Sequence, residues 1–104
     1  MKVDDSFKYK KVINIGVVSE LTGLTERKIR YYEERKLIFP ERNASGTRKY
    51  SFQDVEILVA ISNEVEDGVS TYEIRQNIIK KEKRAKKIMT QGQVNAHFKL
   101  YKNN

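Results

Sequence analysis

The chain has 104 residues, with 21 Lys and Arg against 14 Asp and Glu, one His and no Cys. One domain with short appendages is the expectation at this length. A chain without cysteine forms no disulfide, thiolate metal site or thiol redox switch of its own. Its longest uninterrupted apolar run is Ile57 to Ile61, far short of the roughly 20 residues of a membrane span. Residues 1–20 intersperse Lys and Asp and show no apolar stretch of the secretory kind, so a cytoplasmic protein is expected.

The formal net charge of +7 is unevenly spread. Residues 1–26 are neutral, residues 27–49 carry +5, residues 50–79 carry −5 and residues 80–104 carry +7. Two basic blocks flanking an acidic middle favour a polyanion or an acidic partner meeting particular surfaces.

In chain order, the first helix is predicted over about 16–22, with Val17, Val18 and Leu21 at helical spacing and Gly23 as a left-handed cap. Leu24 fills a turn, and Thr25 caps a second helix running to about Lys36. Two helices around a short Gly-containing turn are a helix-turn-helix pattern, common enough to be weak by itself. Pro40 ends this region, and Pro40–Ser51 reads as a β-hairpin around Asn43-Ala44-Ser45-Gly46. Ser51 with Asp54 opens a third helix, whose apolar face is Phe52, Val55, Leu58, Val59 and Val65 and which closes near Asp67-Gly68. Ser70 with Glu73 opens a fourth, carrying Tyr72, Ile74, Ile78 and Ile79. Beyond Ile79 the apolar pattern fails, Lys80–Lys87 is nearly all charge, and Gly92 interrupts the remaining tail.

On the second helix, Thr25, Ile29, Tyr32 and Leu37 approximate a buried stripe. Arg27, Arg30, Tyr31 and Glu34 then face outward, with Lys28 and Arg35 on the edges. A solvated face is the ordinary meaning of such a stripe. A tyrosine among the arginines and a second basic cluster in the hairpin (Arg42, Arg48, Lys49) favour a binding face instead. Tyr50 and Phe52 are expected to support the hairpin by packing at its base. Arginine suits forked contacts to phosphate or guanine, and lysine acts as a point charge.

These residues resemble a known family. Ile15 to Leu24, then Arg27-Lys28-Ile29-Arg30-Tyr31-Tyr32-Glu33, then Leu37, Pro40, Arg42, Gly46, Arg48 and Tyr50 resemble the MerR family of winged helix-turn-helix regulators over about residues 13–80. Lys36 stands where the family usually has Gly, and Thr47 where it usually has an aromatic. With Asn95-Ala96-His97-Phe98, these departures look like the family's nitrogen-regulator branch. The fold this implies is mainly α with a small β wing, two helices after the wing and a flexible C-terminal tail. Its segments are 1–12 for dimerisation, 13–80 for DNA and 81–104 as a partner-binding tail. The resemblance further implies a homodimer on inverted-repeat promoter sites of nitrogen-metabolism genes, and a tail that binds feedback-inhibited glutamine synthetase. By matching positions, Arg27, Arg30 and Tyr31 lie on the recognition helix and Arg42, Thr47, Arg48 and Tyr50 in the wing, with Lys28 and Lys49 beside them as further DNA contacts.

Dimerisation is assigned to Val3, Phe7 and Tyr9, since Lys80–Asn104 shows no sustained heptads; packing onto the chain's own core is the plain alternative. In the tail, Met89, Gln93, Ala96 and Leu100 share a helical face, and Phe98 and Tyr101 lie off it. Met89, Gln93, Asn95, Ala96 and Phe98 are the expected contacts to the synthetase. Gly92 and the upstream basic run point to a segment that folds on binding. A recombination directionality factor of the excisionase type, with the same winged fold, is the alternative function. No enzyme activity, cofactor or metal is expected: His97 is the one His, and neither a Gly-rich phosphate loop nor a recognisable carboxylate pair is present.

Overall fold

The computed structural model describes the backbone of residues 5–99 and the side chains of residues 6–88. A 3-10 turn, Asp5–Tyr9, leads into strand β1 (Ile13–Asn14) and helix α1 (Ile15–Thr22). Helix α2 (Glu26–Glu34) is next, then strands β2 (Glu41–Arg42) and β3 (Arg48–Tyr50), helix α3 (Phe52–Glu66) and helix α4 (Thr71–Lys99). The fold is mainly helical with a small sheet, a winged helix-turn-helix.

Local chemistry sets the helix ends. Gly23 sits at φ +78° and its N–H donates to the Ser19 carbonyl, closing α1. The Ser19 hydroxyl donates to the Leu24 carbonyl at 2.6 Å, and Thr25 Oγ1 accepts from the Lys28 N–H at 3.1 Å. The turn between α1 and α2 is thereby fixed by its own side chains. α2 ends two residues before the expected Lys36 in a Schellman motif: the Lys36 N–H donates to the Glu33 carbonyl and the Leu37 N–H to the Tyr32 carbonyl. This places Lys36 at φ +62°, the left-handed region that favours glycine. Ser51 and Asp54 form the expected capping box of α3, and buried Asp54 also accepts from Lys11 Nζ at 2.7 Å.

The hairpin expected over 40–51 is two strands of a three-stranded antiparallel sheet in the order β1-β3-β2. Ile13 pairs with Tyr50 and Asn14 with Lys49 on one side of β3; Glu41 pairs with Lys49 and Arg42 with Arg48 on the other. β1 has no counterpart in the sequence reading, because two residues carry no readable alternation.

The core is Val18, Ile29, Tyr32, Leu37, Ile38, Tyr50, Leu58, Ile61 and Ile74. Several expectations about it are corrected, among them Val17, Leu21 and Val59, which lie at apolar helical positions yet are 49%, 53% and 41% exposed. Thr25 is exposed, being an N-cap rather than part of the buried stripe. Phe52, expected to pack at the base of the wing, is 50% exposed and lines a shallow hollow with Phe7, Lys8, Val55 and Glu56. Tyr72 is exposed, while Ile74 one turn into α4 is buried. α4 continues as helical backbone to Lys99, past the end of its apolar pattern and through Gly92. Lys, Arg, Glu and Ala are good helix formers, so a charged run extends a helix already nucleated by packing.

Candidate nucleic-acid interface

α2 presents its buried stripe, Ile29 and Tyr32, to the core and turns Arg27, Lys28, Arg30 and Tyr31 to solvent. Tyr31 is 43% exposed, with its ring 5.8 Å from that of Tyr32. The side chains of Arg27 and Lys28 have no hydrogen bond or ion pair among the described residues. Arg30 Nη1 lies 3.6 Å from Glu26 Oε1, an exposed pair of little energetic weight. The outward face of α2 therefore offers a fork and a point charge available to a ligand.

The wing is built around one asparagine. Asn43 Oδ1 accepts from the Ser45 N–H (3.1 Å), the Ser45 hydroxyl (2.9 Å) and the Thr47 N–H (2.9 Å). The Asn43 N–H donates to the Thr47 carbonyl at 3.0 Å, and Gly46 takes φ +85°. Arg42 Nη1 donates across the turn to the Gly46 carbonyl at 3.2 Å. Thr47 is exposed at the tip.

Alternation along β3 sends neighbouring side chains to opposite faces. Tyr50 points into the core, so Arg48, two residues earlier, points the same way, toward α2. Arg48 Nε donates to Glu33 Oε1 at 2.6 Å, with side-chain exposures of 28% and 25%. That bond holds the Arg48 guanidinium above its ordinary pKa. Lys49 takes the other face, and its Nζ donates to Asn14 Oδ1 on β1.

The nine residues expected to meet DNA thus separate. Arg27, Lys28, Arg30 and Tyr31 share the outward face of α2; Arg42, Thr47 and Lys49 are in the wing. Arg48 is already engaged by Glu33. Tyr50 corrects the expectation of a DNA contact and meets that of a packing residue at the base of the wing: it is fully buried, with a hydroxyl that has no hydrogen-bond partner among the described residues, and it is a core side chain. Burial, above all, pushes its pKa up to about 12. Glu33, Asn43 and Asn14 hold this candidate interface in place, a part that the sequence reading does not assign to them. A signal for Glu33 is nevertheless present, since it adjoins buried Tyr32 and lies one turn from Ile29.

Of the residues assigned to dimerisation, Phe7 is 49% and Tyr9 53% exposed, and Val3 lies outside the described residues. Lys8 Nζ lies 3.7 Å from Glu56 Oε1, so the 3-10 turn leans on α3 while keeping both aromatic rings partly in solvent. Met89, Gln93, Asn95, Ala96 and Phe98 fall within the α4 backbone, but their side chains lie outside the described residues. Among the described residues no His, Cys, Asp and Glu cluster suits a metal ion, and no helix is long and apolar enough to cross a membrane.

Comparison with known proteins agrees with this geometry. Residues 13–79 match the MerR helix-turn-helix family of regulatory proteins. The transcriptional regulator TnrA of Bacillus subtilis (strain 168) is 60% identical over 106 residues, covering 96% of this chain and 96% of TnrA. The transcriptional regulator GlnR of Bacillus anthracis is 41% identical over 68 residues, 65% of this chain and 53% of GlnR. The transcriptional regulator HmrR of Rhizobium leguminosarum is 44% identical over 64 residues, 62% of this chain and 50% of HmrR. The similarity to TnrA runs through wing and tail alike, whereas that to the other two is confined to part of each chain. An outward basic helix, a wing fixed beside it and these relatives lead to one conclusion: the chain belongs to the MerR family of helix-turn-helix regulators and is a transcriptional regulator of the TnrA and GlnR type.

Proposed function

We propose that this protein binds inverted-repeat promoter sites of nitrogen-metabolism genes as a homodimer, and that its tail binds feedback-inhibited glutamine synthetase, which draws it off DNA when glutamine is plentiful. The observation that carries the DNA reading is the pair Arg27 and Lys28, exposed and unpaired among the described residues on the outward face of α2, with the wing anchored beside them. Arg27 reads a guanine edge with its fork, and Lys28 and Lys49 meet phosphates. The near full-length similarity to TnrA supports extending the reading to the tail, through Met89, Gln93, Asn95, Ala96 and Phe98.

Footprinting on duplexes selected by the protein from random sequence tests the first part. Two symmetric half-sites are expected, and phased repeats covered by a filament would overturn the regulator reading in favour of the excisionase type. Arg27→Ala is expected to cost about 1–3 kcal/mol and to relax preference at one base pair per half-site. Adding glutamine synthetase with glutamine is expected to release the intact protein from DNA and to leave a form lacking residues 85–104 bound. Equal release of both forms would remove the tail from the account.

A further inference from the structure

The wing is too small to hold its own position. β2 has two residues and β3 three, and an isolated hairpin of that size is marginal in water. Its placement against α2 depends on what β3 sends inward, and the two side chains so directed are Tyr50 and Arg48. Tyr50 supplies apolar packing. Arg48 supplies a directional contact, the 2.6 Å bond to Glu33, between two partly buried groups separated by 15 positions in the chain. A carboxylate beside a DNA-binding face repels phosphate, so its presence needs a compensating task. Lys49, facing the other way, lies on Asn14 and ties β3 to β1 but not to the helix.

We propose that Glu33 is a positioning residue for operator recognition: through Arg48 it fixes the wing against the recognition helix, and Arg48 acts in that pair instead of neutralising a phosphate. The proposal rests on the DNA-binding reading above and assigns Arg48 a different part within it. A phosphate ligand and a positioning pair have different signatures. Removing one phosphate-neutralising side chain lowers the slope of log affinity against log salt by about one. Removing a positioning pair leaves that slope in place and narrows the gap between operator and random duplex.

The test uses the full chain, a duplex selected by the wild-type protein, and a random duplex of equal length, each over a salt series. Glu33→Gln and Arg48→Gln are each expected to reduce operator discrimination about tenfold, and the double variant to lose no more than either alone. Arg48→Gln is expected to keep the wild-type salt slope, whereas Lys28→Gln lowers it by about one. The charge-exchanged pair Glu33→Arg with Arg48→Glu is expected to recover discrimination relative to Arg48→Glu alone, which no phosphate contact at position 48 permits. Thermal melts identify any variant that fails to fold, and the exchanged pair then decides the matter. An Arg48→Gln slope reduced like that of Lys28→Gln, with discrimination unchanged in Glu33→Gln, would overturn the proposal while leaving DNA binding intact. A wild-type protein that binds both duplexes equally would overturn the DNA reading itself.

Discussion

Tyr50 carries a polar atom into the core at a cost that depends on pH. Its hydroxyl is buried and unpaired among the described residues, and burial raises its pKa from 10.0 to about 12. Because the folded state favours the neutral phenol, this contribution is complete below pH 10 and is lost as pH rises from 10 toward 12. Two pKa units correspond to about 2.7 kcal/mol at most. Tyr50→Phe is therefore expected to raise stability at pH 7 by about 1 kcal/mol or more, since it relieves the desolvation of an unpaired buried hydroxyl. The same variant should lose less stability than wild type between about pH 10 and 11.5 in urea titrations; Tyr32, whose pKa burial also raises, keeps the residual slope. Lys36 offers a second test. It occupies the left-handed position of a Schellman motif at φ +62°, and Gly68 occupies the matching position after α3 at φ +95°, where the Val69 N–H donates to the Glu64 carbonyl. The left-handed conformation costs a side-chain-bearing residue roughly 1–2 kcal/mol, partly offset by glycine's larger unfolded-state entropy. Lys36→Gly is expected to raise the urea midpoint by the equivalent of about 0.5–1 kcal/mol.

The elements differ in how openly the sequence announces them, and the reason is how local their causes are. The turn between α1 and α2 and the starts of α3 and α4 are made by Gly23, Thr25, Ser51 with Asp54, and Ser70, each acting within four residues, and all are legible in the sequence. β1 exists because β3 has a free edge for Ile13 and Asn14, a tertiary fact with no local mark. The part played by Arg48 is hidden for the same reason. Alternation puts Arg48 on the same side as Tyr50, but nothing local in the sequence shows that Glu33, 15 positions earlier, meets it there. The outward face of α2 is legible because helical periodicity sorts Ile29 and Tyr32 from Arg27, Arg30 and Tyr31. The wing tip yields its own prediction. Asn43 Oδ1 accepts three hydrogen bonds that no backbone group replaces. Asn43→Ala is expected to cost no more than about 1 kcal/mol of global stability, because the tip is exposed, yet to weaken operator binding several-fold by loosening Thr47 and Arg42. Melting curves and binding isotherms on one preparation check both halves.

The two ends of the molecule are built to different rules. α4 is 29 residues long, about 43 Å at 1.5 Å per residue, and the charged, helix-favouring run Lys80–Lys87 carries it beyond buried Ile74. The N-terminal turn is short and aromatic, and it lies on α3 beside Phe52. Phe7, Phe52 and Val55 line one shallow apolar hollow, with Phe7 and Phe52 each about half exposed. Those rings stay about half exposed among the described residues, and a second copy bringing its own Phe7 and Tyr9 to this face would bury them; the dimer proposed above would use that contact. Lys11, bonded to Asp54 and to the Phe39 carbonyl, anchors the chain just beyond the turn. A form lacking residues 1–10 therefore keeps that anchor. Its expected behaviour is an intact fold by circular dichroism, a monomer in sedimentation equilibrium, and operator affinity lowered at least a hundredfold, because two linked half-sites bind far more tightly than one. Phe7→Ser in the full chain should give the same monomer with less disturbance, whereas Lys8→Ala, which removes the 3.7 Å pair with Glu56 and the cation–π contact with Tyr9 but keeps Phe7 and Phe52, should leave the dimer in place. Dimers persisting in both the truncated form and Phe7→Ser would move the contact away from this hollow.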